Sequence, residues 1–87
     1  MANVLFPAPV AINFGEPGET VLIGSVHEAA ECLLSSKWPR TDGPIYEMAT
    51  RAIRGASEGV VTPLEARRAF ADAALEARVM VPRPAIF

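Results

Sequence analysis

The one histidine, the one cysteine and the one tryptophan of this chain all fall in "SVHEAAECLLSSKWP", from Ser25 to Pro39. An imidazole beside a thiol could form a nucleophile–base pair, and the same two groups could begin a metal site. The first chemistry needs the imidazole within hydrogen-bonding reach of the sulfur. His27 and Cys32 are five residues apart, about 140° around a helix, so they point to different sides. A metal pair on one helical face is spaced by four, and the chain has no second histidine or cysteine. Zinc is therefore not expected.

The remaining candidates carry no more chemistry. His27 reads as a partly exposed helix-start histidine. Cys32 falls by wheel geometry on a polar side with Glu28, Glu31 and Ser35, where acids raise rather than lower a thiol pKa. Trp38 reads as a core anchor, and Glu28 and Glu31 as solvated charges. Ser35 and Ser36 have no base within reach by sequence. "GEPG", residues 15–18, sits between two strands rather than before a helix, so it is no phosphate loop. Tyr46, His27 and Arg51 are the only polar side chains that could serve a small-ligand site. The reading is a non-enzyme, with no catalytic residue, no cofactor and no metal.

The elements that would position these residues are legible. "VAINF", residues 10–14, alternates, and "ETVLIG", residues 19–24, is rich in β-branched and apolar side chains; Pro17 and Gly18 between them suit a type II turn. This predicts a hairpin in which Phe14 faces Glu19, Ile12 faces Val21 and Val10 faces Ile23. Ser25, with Glu28 three residues on, predicts a capping box. The first helix follows, with a buried stripe of Val26, Ala29, Ala30, Leu33 and Leu34 continued by Trp38 and stopped by Pro39.

A second helix starts near Pro44, capped by Asp42 or Gly43, with a stripe of Ile45, Met48, Ala49, Ala52, Ile53 and Ala56. Gly55 inside that pattern implies either fraying or a close neighbouring backbone. Gly59 is the expected C-terminal cap. "TPLE", residues 62–65, is a second capping box. The third helix runs from there to about Arg78, with Ala66, Ala69, Phe70, Ala73, Ala74 and Ala77 inward. The whole reads as an α+β fold: an N-terminal antiparallel β-hairpin packed on three α-helices, ββααα. A short C-terminal strand at Val79–Val81 is left open. Residues 1–87 form a single small domain, with 1–8 and 82–87 as extended or flexible ends.

Composition limits the partners. The net charge is −2 and 51% of the residues are hydrophobic, so this is a globular chain without a basic stripe. No apolar run approaches the ~20 residues of a membrane span. The N-terminus has no secretory pattern, and the single cysteine forms no internal disulfide, which together point to the cytoplasm. Leu64, Ala71 and Leu75, with Arg68 among them, lie opposite the third helix's main stripe, and Leu22 lies on the milder hairpin face. These five residues form the expected interaction surface, for a protein partner or for self-association as a homodimer. The alternative is nucleic-acid binding by helices two and three around "EGVVTP", using Arg67 and Arg68. Glu65, Asp72 and Glu76 along the same helix argue against it.

The order of these elements resembles a known family. The residues that carry the likeness are "PVAINFG", "SVHEAAECLLSSKWP", "GPIYEMATRAIRGASEG" and "TPLEARRAFADAALEA". The most specific are Trp38–Pro39, the Gly43–Pro44 step and the Ala66–Arg67, Phe70, Ala73–Ala74 pattern. Together they are similar to domain of unknown function 982, short proteins abundant in rhizobial-type alphaproteobacteria. The resemblance covers nearly the whole chain and implies no activity, cofactor or catalytic residue. One departure stands out: the family usually has glycine after the last helix, and here Arg78 stands at that place.

Overall fold

The computed structural model describes residues 4–14 and 19–81; "GEPG", where a turn is expected, and residues 1–3 and 82–87 lie outside them. Strand β1 spans Leu5–Ile12 and β2 spans Val21–Ser25, paired antiparallel. Ile12 faces Val21 and Val10 faces Ile23, the register read from the alternation. Val10, Ile12 and Ile23 are buried together, because side chains two apart share a face of the sheet. Strand β1 starts well before that alternation. Leu5 pairs with Ser25 across an irregularity in the register, and Phe6 enters the core. Phe14 and Glu19, expected to pair, lie just past the strands. Phe14 instead meets Trp38 edge-on, with ring centroids 6.2 Å apart.

The open question at Val79–Val81 resolves as one bridge. Met80 faces Ile12, the Asn13 N–H donates to the Val79 carbonyl (2.8 Å), and the Val81 N–H donates to the Ala11 carbonyl (2.9 Å). Strand β1 is thus flanked on both sides, and β2 lies at the outside.

Helix α1 spans Val26–Leu33. Ser25 Oγ accepts the Glu28 N–H at 3.2 Å, as a capping box requires. The Glu28 carboxylate then reaches one residue further back than expected, to the Gly24 N–H at 2.9 Å. The helix stops at Leu33 rather than running to Trp38. There the Tyr46 hydroxyl donates to the Leu33 carbonyl at 2.7 Å, meeting one of the acceptors a helix end leaves free. A turn held by Trp38 N–H to the Ser35 carbonyl (3.1 Å) then carries the indole into the core. With Trp38 inside, Leu34 is left outside at 80% exposure, against its place in the expected stripe.

Helix α2 spans Pro44–Ser57 with Gly43 as N-cap, and α3 spans Pro63–Glu76. The capping box of α3 is complete: Thr62 Oγ1 accepts the Glu65 N–H (3.1 Å), and Glu65 accepts the Thr62 N–H (3.2 Å). The centre of the molecule is Phe70, fully buried between Phe6 (6.2 Å) and Trp38 (5.8 Å). Burying a phenylalanine contributes about 1.5–3 kcal/mol. Around it Ala49, Ala56, Ala66, Ala73 and Ala74 are also buried, and these small side chains let α2 and α3 lie close.

Both of those helices end in the same way. After α2, the Gly59 N–H bonds the Ala56 carbonyl and the Val60 N–H bonds that of Gly55 (2.8 Å). This is a Schellman motif with glycine at φ 81°. After α3, the Arg78 N–H bonds the Leu75 carbonyl (3.1 Å) and the Val79 N–H bonds that of Ala74 (3.0 Å), with Arg78 at φ 61°. Gly55 does not fray. The connection folds back over it, and a Cβ there would stand 2.5 Å from Val61 Cγ2.

Candidate interaction surface

The side chains that first drew attention are separated by the fold. His27 is exposed on α1, its Nε2 3.4 Å from the Glu31 carboxylate one turn on. Cys32 is buried, contrary to its wheel position, because α1 packs against β2, α2 and α3 at once. Only the line of His27, Glu28 and Glu31 is left in water. Burial, rather than neighbouring acids, pushes the Cys32 thiol up to about 11. It is protonated and sheltered at neutral pH, the opposite of a reactive cysteine. Trp38 is a core anchor. Ser35 Oγ accepts the Lys37 N–H at 3.1 Å. Among the described residues no group of three or more His, Cys, Asp or Glu is placed to hold a metal ion.

Arg67 has a structural task. Its Nε donates to the Ala8 carbonyl at 2.7 Å and its guanidinium NH2 to that of Pro9 at 3.2 Å, which ties α3 to β1. Ala71, one turn along, is buried on that same side of α3. The expected surface therefore loses Ala71: the face counted as opposite the core stripe is partly turned to β1. Leu64, Arg68, Leu75 and Leu22 are exposed, with Leu75 and Leu22 each at 61%.

The structure brings two of these four together. Arg68 and Leu75 line a groove of about 630 Å³ between α2 and α3, with Ile45, Met48 and Ala69. Leu64 is not among its lining residues, and Leu22 belongs to the sheet. Met48 was assigned to the buried stripe of α2 but is 61% exposed. On the helical wheel Met48 falls at one outer edge of that stripe, beyond Ile45 and Ala52. Glu65, Asp72 and Glu76 line the groove from α3 beside Arg68, three carboxylates to one guanidinium. Thr62 holds the Glu65 carboxyl below the usual carboxylate range, first through its backbone N–H and then through its hydroxyl.

A second groove, about 920 Å³, lies between α1 and α2 over Val26, Ala30, Leu33 and Ile53. Its polar rim is mixed, with His27 and Arg54 against Glu58. It offers no one-sided charge.

An antiparallel hairpin followed by three packed helices, with Trp38 in the core, is the α+β arrangement the sequence predicted. A family model described as protein of unknown function (DUF982) matches residues 8–81. The chain belongs to this family. No curated protein and no solved structure matches it. The matched span contains the hairpin from Ala8 onward, all three helices and the bridge at Met80. Among the described residues no helix is long and apolar enough to cross a membrane.

Proposed function

We propose that this is a non-enzymatic interaction protein, and that the α2/α3 groove receives a basic amphipathic helix from a partner protein. One observation carries the reading. Met48 and Leu75 stand exposed on facing helices inside a border of Glu65, Asp72 and Glu76. Large apolar side chains at a helix–helix crevice suit the apolar face of a docking helix. A carboxylate border selects lysine or arginine on its flanks and disfavours acidic competitors. The nucleic-acid alternative has less support, because Arg67 is engaged by β1 carbonyls and Arg68 lies among the acids. The unpaired Cys32 supports a reducing compartment, which we take to be the cytoplasm; recovery of the protein in a secreted or membrane fraction would overturn that placement.

The test uses two synthetic helices of leucine with lysine or of leucine with glutamate, titrated into isotopically labelled protein. The lysine peptide should shift the Met48, Ile45 and Leu75 methyl signals saturably, and Leu75→Glu should abolish the effect. Asp72→Lys with Glu76→Lys should reverse the preference between the two peptides. Equal response to both peptides, or shifts confined to other surfaces, would sink the proposal.

A further inference from the structure

We infer that the outer edge of β2 is a self-association surface, pairing with β2 of a second copy, antiparallel about Leu22. The direction of the backbone groups follows from the bridge at Met80. The Ala11 carbonyl and the Asn13 N–H point to Val79–Val81, away from β2. Alternation along β1 then turns Val10 and Ile12 toward β2, so their partners Ile23 and Val21 spend their own groups on β1. Leu22 must therefore present its N–H and C=O outward. The Gly24 N–H agrees, since it bonds the Glu28 carboxylate and not β1. Among the described residues nothing pairs with this edge.

The two edges of the sheet are treated differently. On the far side of β1, Val79–Val81 covers part of the strand, Pro9 offers no N–H for further pairing, and Arg67 occupies the Ala8 and Pro9 carbonyls. Strand β2 has none of these protections: Val21–Ser25 contains no proline, lysine or other charge, and its own groups are apolar and exposed at Val21 (51%) and Leu22.

What makes a second copy the occupant is self-complementarity. A dyad at Leu22 sets Leu22 against its own copy on one face and Val21 against the copy's Ile23 on the other, an apolar pair at every central position. Each Leu22 N–H meets the other Leu22 carbonyl, and each Thr20 N–H meets the other Gly24 carbonyl. Glu28 keeps the Gly24 N–H, so the pairing is incomplete at its ends. So short a strand pair, incomplete at its ends, makes a small interface and hence an association that shows only at high protein concentration.

The experiment is light scattering from micromolar to millimolar protein, alongside amide hydrogen exchange. The mass should approach twice the monomer's at the top of the range. The Leu22 amide should become protected with concentration, while Val21 and Ile23, already bonded to β1, should not change. Leu22→Pro removes the outward N–H and the paired leucine while sparing the bonds of Val21 and Ile23 to β1, and should give a folded monomer throughout; Leu22→Lys should weaken association at least tenfold should the proline variant misfold. A monomer at millimolar concentration, a Leu22 amide indifferent to concentration, or a dimer surviving both variants would each overturn the inference. Loss of the dimer in Leu75→Glu would assign association to the α2/α3 groove and overturn it as well.

Discussion

Replacing Arg78 by glycine should stabilise the protein. Arg78 is the one non-glycine residue with positive φ among the described residues, at 61°, and it holds the position that closes α3. A side chain in left-handed backbone costs about 1–2 kcal/mol through the clash of Cβ with the following carbonyl. Glycine escapes that cost but gives back about 0.5–1 kcal/mol, because its unfolded chain has more freedom to lose. A cation at a helix C-terminus also contributes about 0.3–1 kcal/mol, and that contribution is screened by salt. Arg78 is exposed, so little packing is at stake. The net gain in moderate salt is about 0.5–1 kcal/mol, or roughly 2–8 °C in Tm for a domain of this size.

Arg78→Ala supplies the control, since it removes the charge while keeping Cβ in the same backbone. Urea unfolding followed by circular dichroism and by Trp38 fluorescence would give both midpoints, and equal slopes would license their comparison. Glycine should exceed alanine by about 1 kcal/mol in 0.5 M salt. Equal stability of the two variants would show that Arg78 is not held in the left-handed cap, and the Schellman closure of α3 described above would be wrong.

Three further outcomes follow from single contacts. Gly55→Ala should destabilise by about 1–2 kcal/mol, although alanine is normally the better helix former, because its Cβ would meet the stiff branched side chain of Val61 at 2.5 Å; adding Val61→Ala should recover part of the loss in the same urea titration. Tyr46→Phe deletes the hydrogen bond to the Leu33 carbonyl and should cost about 1 kcal/mol, with no change in the circular dichroism of the native state. The Glu65 carboxyl is lowered by Thr62, so its contribution is complete above the unfolded pKa, ~4.3, and disappears as pH falls through the lower folded value. Chemical unfolding of wild type and Glu65→Gln between pH 7 and pH 2.5 should show their difference shrinking with acid. A constant difference would mean the carboxylate charge is not what the cap uses.

The local grammar of the chain was legible wherever one residue type answers one backbone need. Thr62, Pro63 and Glu65 announced α3, Gly59 announced the end of α2, and the alternation at Val10 and Ile12 gave the register with β2. Legibility failed where tertiary packing chose between equivalent local options. Leu34 and Trp38 both suited the α1 stripe, but α1 ends at Leu33 and the chain then turns Trp38 onto Phe70 while Leu34 stays in water. Cys32 and Ala71 sit at angles a wheel calls outward, and each is covered because its helix has neighbours on more than one side. Met48 erred the other way, since a stripe on α2 wider than the face α3 covers must leave an edge in water. Of the five residues expected on a surface, four are exposed, but only Arg68 and Leu75 share a groove. No pattern within one helix could have revealed that Met48 faces them.

Several polar side chains of this fold hold its ends and junctions. Ser25 and Glu28 close the start of α1, Tyr46 its end, Thr62 and Glu65 the start of α3, and Arg67 the seam between α3 and β1. Among the described residues no buried side-chain nitrogen or oxygen lacks a partner. The large exposed apolar side chains among the described residues include Met48 and Leu75 in a groove edged with acid, and Val21 and Leu22 along an open strand. Those two surfaces belong to different elements, so a partner helix and a second copy could be bound together, and each should respond to its own substitution alone.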